Sequence, residues 1–231
     1  MADDTPVVLY MHDWFPPSRA AAWTLRMANV PFERKAIIVR GETSKPWFHK
    51  LNPQHTIPTM VDGDFALGES RAICTYLINK YSPGHQLYPD CPQARAVIDR
   101  YLYFDIGTLY KAIGDYFYPK LMFGKELDSE REQKLKDALG FLEAFLGNQN
   151  FLTGAAPCVA DLSIACSLSM LEITGYGFPG YPKAEAYYKR LKELPHWDEC
   201  NAKGIEGFKQ FAAGKLQQQQ QQQQAPPSHE E

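Results

Sequence analysis

Apolar positions follow two different periods along this chain, and the change comes near residue 82. Before it, "VVLYM" (Val7 to Met11) and "FERKAIIV" (Phe32 to Val39) read as strands. "TIPTMVD" and "DFALG" read as two more, joined by a tight Asp62-Gly63 turn. The Ala-rich stretch Arg19 to Asn29 predicts a helix, and a short one is expected near Pro46 to Leu51. In "ESRAICTYLINKY" (Glu69 to Tyr81), Ile73, Tyr76, Leu77 and Lys80 fall at helical spacing. The order βαβ-α-ββα is that of a small α/β layer structure.

Beyond it the texture is almost wholly helical. "SPGHQLYPDCP" is rich in turn formers and reads as a linker. Ala94, Val97, Ile98, Tyr101, Leu102, Leu109, Tyr110 and Ile113 then recur at the i, i+3, i+4 spacing of one long amphipathic helix. Leu135, Ala138, Leu139, Leu142, Phe145 and Leu146 do the same for a second, and shorter helical stretches follow around 159–172, 182–193 and 201–213. Gln217 to Gln224 is a polyglutamine run without apolar side chains to offset the entropy of ordering. The expected division is an α/β unit over 1–81, a linker over 82–91, an all-helical unit over 92–215 and a disordered tail over 216–231.

Composition narrows the function classes. With 231 residues, 45% apolar, 22% charged and a net charge of −3, the chain can bury a core and has no electrostatic bias toward nucleic acid or anionic membrane. No apolar run is long enough for membrane insertion, and the start "MADDTPVV" lacks the features of a signal peptide. The five cysteines are scattered with no CxxC pair, so neither a disulfide framework nor a metal site is expected, and a reducing cytoplasm is the default.

Chemistry concentrates in "NPQHTIPTMVDGDFALGESRAI" (Asn52 to Ile73). Ile57-Pro58 is a candidate cis bond, and a strand that starts there exposes the Ile57 backbone to an extended peptide ligand. Glu69-Ser70 opens a helix, where a hydroxyl and free N–H groups hold a carboxylate; Glu69 meets an ammonium and Arg71 adds an opposite charge. A site for both an amino and a carboxylate group suits the γ-glutamyl end of glutathione. Taken singly, these residues have plainer readings: a helix cap at Glu69-Ser70, a hydrogen-bonded histidine at His55, a trans bond before Pro58. Their order and spacing together carry the functional reading.

With "NPQHTIPTMVD", "ALGESRAICTYLINKY", "LYPDCPQARAVIDRYLYFDIGTLY" and "VADLSIACSLS", the chain resembles the arthropod delta/epsilon group of cytosolic glutathione transferases over about residues 6–213. The resemblance implies a thioredoxin-like N-terminal domain followed by an all-α domain. It also implies a homodimer that conjugates glutathione, as co-substrate and without a further cofactor, to small hydrophobic electrophiles. On this resemblance His55 lies near the glycine or cysteine portion of glutathione. The Ile57 backbone, held by Pro58, pairs with the cysteinyl unit, and Glu69, Ser70 and Arg71 hold the γ-glutamyl group. A histidine common after the second strand in delta enzymes is matched by Thr43 here. Tyr110, Ile113, Phe117 and Tyr118 are candidates for the wall of the hydrophobic site, with core packing as the plainer alternative. Asp105, on the apolar stripe, needs hydrogen bonds wherever it is buried; it serves the glutathione site or the domain junction. Cys158 stands where the family caps a buried helix with Ser or Thr, so that helix start is expected to be weaker by about 1 kcal/mol.

The departure is at the first helix. Aligned without gaps, "YMHDWFPPSR" puts Phe15 where the resemblance implies the catalytic serine. A hydroxyl donating to sulfur favours the thiolate, and phenylalanine donates nothing. What remains is the helix N-terminus, which itself lowers a thiol pKa, together with three nearby donors: Ser18 first, then Tyr10 and His12. Alternatively none of them substitutes, and Phe15 simply lines the pocket. The expected function is a glutathione transferase; the alternative is a catalytically weak or inactive protein that binds glutathione or hydrophobic ligands.

Overall fold

The computed structural model describes residues 6–224. The N-terminal unit runs β1 (Val7–Met11), α1 (Pro16–Met27), β2 (Phe32–Ala36), α2 (Pro46–Leu51), β3 (Thr59–Asp62), β4 (Phe65–Leu67) and α3 (Ser70–Tyr81). Its sheet has the order β2-β1-β3-β4, with β1 and β2 parallel and the other two pairings antiparallel. This is a thioredoxin-like domain. The helical domain follows as α4 (Pro92–Phe104), α5 (Tyr110–Phe123), α6 (Ser129–Leu146), α7 (Val159–Thr174), α8 (Pro182–Lys192) and α9 (Lys203–Gln224).

Several boundaries depart from the sequence reading for identifiable reasons. Helix α1 starts at Pro16, three residues earlier than expected, because the fixed φ of proline suits the first helical positions. Strand β2 stops at Ala36 rather than Val39, because its partner β1 ends at the paired Met11. The single long helix is split by a π-helical segment, Asp105–Leu109, between α4 and α5. Such a segment carries an extra residue in its turn.

The tail expected from residue 216 also differs. Helix α9 continues through the glutamines to Gln224. Glutamine is a good helix former, and adding a turn to an existing helix avoids the nucleation cost. The last seven residues of the expected tail, 225–231, lie outside the described residues.

Helix α7 is the centre of the helical domain, buried on every side from Val159 to Leu171. Its start is held by Asp161, whose carboxylate accepts from the N–H of Cys158 at 2.7 Å, from that of Leu152 at 3.1 Å and from the Tyr187 hydroxyl at 2.6 Å. The side chain three residues into the helix thus supplies much of what the thiol at the cap lacks. Helix α1 packs between α3 of its own domain and α7 of the other. At that seam Arg19 is fully buried, with no carboxylate partner among the described residues. Its five N–H groups go to Asn201 Oδ1 (3.1 Å), the carbonyls of Asp13 and Trp14 (both 3.0 Å), the Cys166 carbonyl (3.5 Å) and Ser169 Oγ (2.5 Å). Burial lowers its pKa.

Candidate active site

The sequence-predicted glutathione residues lie on the loop before β3 and at the start of α3. The Ile57-Pro58 bond is cis. The β1–β3 ladder begins at Thr59, which leaves the Ile57 backbone outside it. The preceding loop is tied by Asn52, whose Nδ2 donates to the Thr56 carbonyl at 3.2 Å and to Thr59 Oγ1 at 3.0 Å. Asn52 was not singled out from the sequence; the signal available was an Asn two residues before Gln54, whose N–H its Oδ1 accepts at 3.0 Å. The same amide explains Gly68, where a Cβ would lie 3.0 Å from Asn52 Nδ2.

At the start of α3, Glu69 is exposed with φ 62° and ψ 101°, and its side chain makes no capping bond. A non-glycine residue at positive φ is uncommon and tends to mark a turn or a site. The reading of Glu69 as an ordinary cap therefore finds no capping contact, while the first N–H groups of α3 stay without helical partners. Ser70 is buried, and its Oγ accepts from Arg71 Nη1 at 3.2 Å. Arg71 reaches the other domain: Nε and Nη2 donate to Asp105 Oδ2 at 3.1 and 2.5 Å. Asp105 has no exposed surface, and its oxygens also accept from Ser163 Oγ at 2.6 Å and Ser167 Oγ at 2.8 Å. The carboxylate is fully served by four bonds. It joins the second domain to the arginine at the head of α3, as the domain-junction reading has it.

His55 is exposed, with its ring stacked on His49 at 4.8 Å between centroids. Thr43 is turned inward, where its Oγ1 accepts from the Arg40 N–H at 3.0 Å; it holds the β2–α2 loop and presents nothing to the cleft. Of the four hydrophobic-wall candidates, Tyr110 and Tyr118 share a hydroxyl hydrogen bond of 3.1 Å. They line a cleft of about 430 Å³ with Ile106, Gly114, Pro119 and Phe123, and with the charged Lys111, Asp115 and Arg131. Burial pushes both phenols up. Ile113 and Phe117 instead face the core, as the plainer reading had it. Gly114 was not foreseen: a Cβ there would meet the Tyr118 ring at 3.2 Å.

Phe15 is the N-cap residue of α1 and makes no side-chain capping bond. Ser18, the first-ranked substitute donor, is fully buried, and its Oγ lies 3.5 Å from the His12 N–H as an acceptor. It sits on the inner face of α1. Tyr10 packs against Trp47 and Phe48 of α2, at 5.7 and 6.0 Å between centroids.

A second cavity, not anticipated from the sequence, has a volume of about 700 Å³. His12 and Trp14 of the β1–α1 loop, Arg34 of β2, and Lys203 and Glu206 of α9 line it. The loop lies close against α9, where a Cβ on Gly204 would fall 2.0 Å from the Asp13 carbonyl oxygen.

Comparison with known proteins agrees with the two-domain fold. Residues 10–85 match the family described as glutathione S-transferase, N-terminal domain, and residues 108–195 match its C-terminal domain. Glutathione S-transferase D6 of Drosophila melanogaster is 39% identical over 210 residues, covering 90% of this chain and 97% of that protein. The structure of a Nilaparvata lugens delta-class glutathione transferase superposes with a TM-score of 0.87 at 38% identity, covering 91% of this chain and 100% of the other. An epsilon-class glutathione S-transferase from the housefly, Musca domestica, gives 0.83 at 32% identity, covering 90% and 98%. The two domain matches, the extent of these alignments and the shared two-domain architecture place the chain in the glutathione S-transferase family.

Proposed function

We propose that this glutathione transferase binds reduced glutathione across the β3–α3 edge and conjugates its thiolate to small hydrophobic electrophiles, as a cytoplasmic homodimer of the delta/epsilon group. The observation that carries the reading is the Arg71–Asp105 pair. An arginine at the head of α3 is held by a buried carboxylate of the second domain, beside an exposed Glu69 and free helix N–H groups. That combination offers one negative and one positive partner to a ligand end bearing both an ammonium and a carboxylate. The Ile57 backbone, outside its ladder, is free to pair with the cysteinyl unit, and His55 stands on the same loop. Ser70 and Pro58 support this frame, Tyr110 and Tyr118 give the electrophile site its aromatic surface beside Lys111, Asp115 and Arg131, and Phe15 is read as part of its lining.

The test is glutathione-dependent turnover with several electrophile types, including a halogenated aromatic and an activated alkene. Turnover above the solution rate with at least one is expected; the solution rate with all of them overturns conjugation. Sedimentation equilibrium measures the pairing, for which twice the chain mass is expected.

A further inference from the structure

The N-terminus of α1 lacks the donors that a helix start usually offers to an anion. Pro16 and Pro17 have no N–H, and the N–H groups of Ser18 and Arg19 both bond to the Phe15 carbonyl, at 3.0 and 3.2 Å. The Phe15 N–H bonds to the His12 carbonyl at 3.2 Å. The expectation that the helix start alone would serve the thiolate therefore loses its hydrogen-bonding part. Ser18 faces inward, Tyr10 is packed on α2, and the Trp14 indole nitrogen faces Gly207 of α9, where a Cβ would lie 2.7 Å from it.

His12 is what the loop has left. Its Nδ1 accepts the Trp14 N–H at 3.2 Å, so the single proton of the neutral ring is assigned to Nε2. Among the described residues no group is bonded to Nε2. The ring is half-buried and held edge-on by its neighbours, 5.0 Å from Trp14 and 5.7 Å from Phe15 between centroids. Strand register then locates it. The β1–β3 ladder pairs Leu9 with Met60 and Tyr10 with Thr59. Tyr10–Thr59 is the last pair of that ladder, so His12 and Ile57 each lie two residues beyond the same end of it. The charged groups around the ring are Asp13 on its own loop, Arg34 of β2, and Lys203 and Glu206 of α9. Burial lowers the imidazole pKa against the opposite pull of Asp13, which favours the neutral ring.

We propose that His12 is a catalytic residue whose Nε2–H donates a hydrogen bond to the glutathione sulfur, in place of the hydroxyl missing at position 15. The assignment rests on the reading that Ile57 pairs with the cysteinyl unit. The thiol proton passes to solvent, and His12 keeps its own proton and shares it with the thiolate. The sulfur lone pair then forms the S–C bond while the electrophile's leaving group departs with its bonding electrons.

The experiment follows thiolate absorbance of glutathione bound to the full chain, titrated against pH, beside kcat and KM. Asparagine at 12 keeps an acceptor for the Trp14 N–H but loses the outer donor; glutamine places an amide donor near the Nε2 position. In His12→Asn the bound thiol is expected to titrate about one pH unit higher, with roughly tenfold lower kcat at neutral pH. The KM for glutathione stays unchanged, and His12→Gln recovers most of the loss. His12→Asn with added Phe15→Ser also recovers it. A wild-type thiol that titrates low and is unmoved in His12→Asn overturns the role of His12 and leaves conjugation standing. A wild type with neither bound thiolate nor glutathione-dependent turnover overturns both.

Discussion

Asp105 is a carboxylate without solvent contact that accepts two bonds from Arg71 and one each from Ser163 and Ser167. The Arg71 side chain is itself only 10% exposed, so removing its partner strands a cation near the domain seam. Breaking such a pair from one side costs about 3–5 kcal/mol. Asp105→Ala is therefore expected to lower the unfolding free energy by about that much in urea titrations, and to weaken glutathione binding measured by calorimetry. The double variant with Arg71→Ala is expected to be more stable than the sum of the singles by about 0.5–3 kcal/mol. Strict additivity would show that Asp105 does not hold Arg71. The sequence marks Asp105 as a charge on an apolar stripe that needs partners, but it does not name them. Ser163 and Ser167 look like any helical serines, and they lie 58 and 62 positions away. Partner identity at that separation is set by how α7 docks.

At the scale of elements, periodicity yields the helices and the strand order βαβ-α-ββα, while facing and length depend on neighbours. Tyr110, Gly114 and Tyr118 form one stripe of α5; Ile113 and Phe117 form the adjacent one, in line with Leu109 of the π-helical segment. A one-residue offset rotates a side chain by about 100°. Two wall candidates thus fell on the cleft side and two in the core, a distinction that only packing on α7 makes. The meeting of α9 with the β1–α1 loop was likewise hidden, because its mark is an absence of side chains. Gly204 and Gly207 let the loop backbone and the Trp14 indole approach, and Trp14 then stacks on Phe208 and Phe211, at 6.0 and 4.9 Å. In Gly204→Ala the new methyl meets a carbonyl oxygen that no rotamer can move. A loss of about 1–3 kcal/mol is expected, of the size of core overpacking. Because His12 sits on the displaced loop, kcat is expected to fall as well. Unchanged thermal stability together with wild-type kcat would mean that α9 does not fix the loop.

The two domains are joined by an element that belongs to both. Helix α1 is covered on one side by α3 and on the other by α7, and the contacts of Arg19 reach the second domain through Asn201, Ser169 and the Cys166 carbonyl. Trp23, fully buried, donates from Nε1 to the Pro195 carbonyl at 2.7 Å and meets the Trp197 ring at 5.2 Å. Neither domain can shed the other without exposing this face and leaving the guanidinium with unmet donors, a cost that exceeds the net value of any single bond. Urea unfolding of a Trp14→Phe, Trp47→Phe background, in which tryptophan fluorescence reports Trp23 and Trp197 at the seam, is therefore expected to coincide with far-ultraviolet circular dichroism, which reports all helices. Arg19→Leu keeps the apolar stem but leaves the Asp13, Trp14 and Cys166 carbonyls, Asn201 Oδ1 and Ser169 Oγ without their shared donor. Each acceptor left dry costs about 1–3 kcal/mol. The fluorescence midpoint should then move to lower urea ahead of the dichroism midpoint, as the seam opens before the α7 core of the helical domain. Arg19→Lys, with three donors in place of five, should fall between them. If both probes shift together in Arg19→Leu, the apolar contacts of α1 with α7 are sufficient to couple the domains, and Arg19 adds stability without linking them.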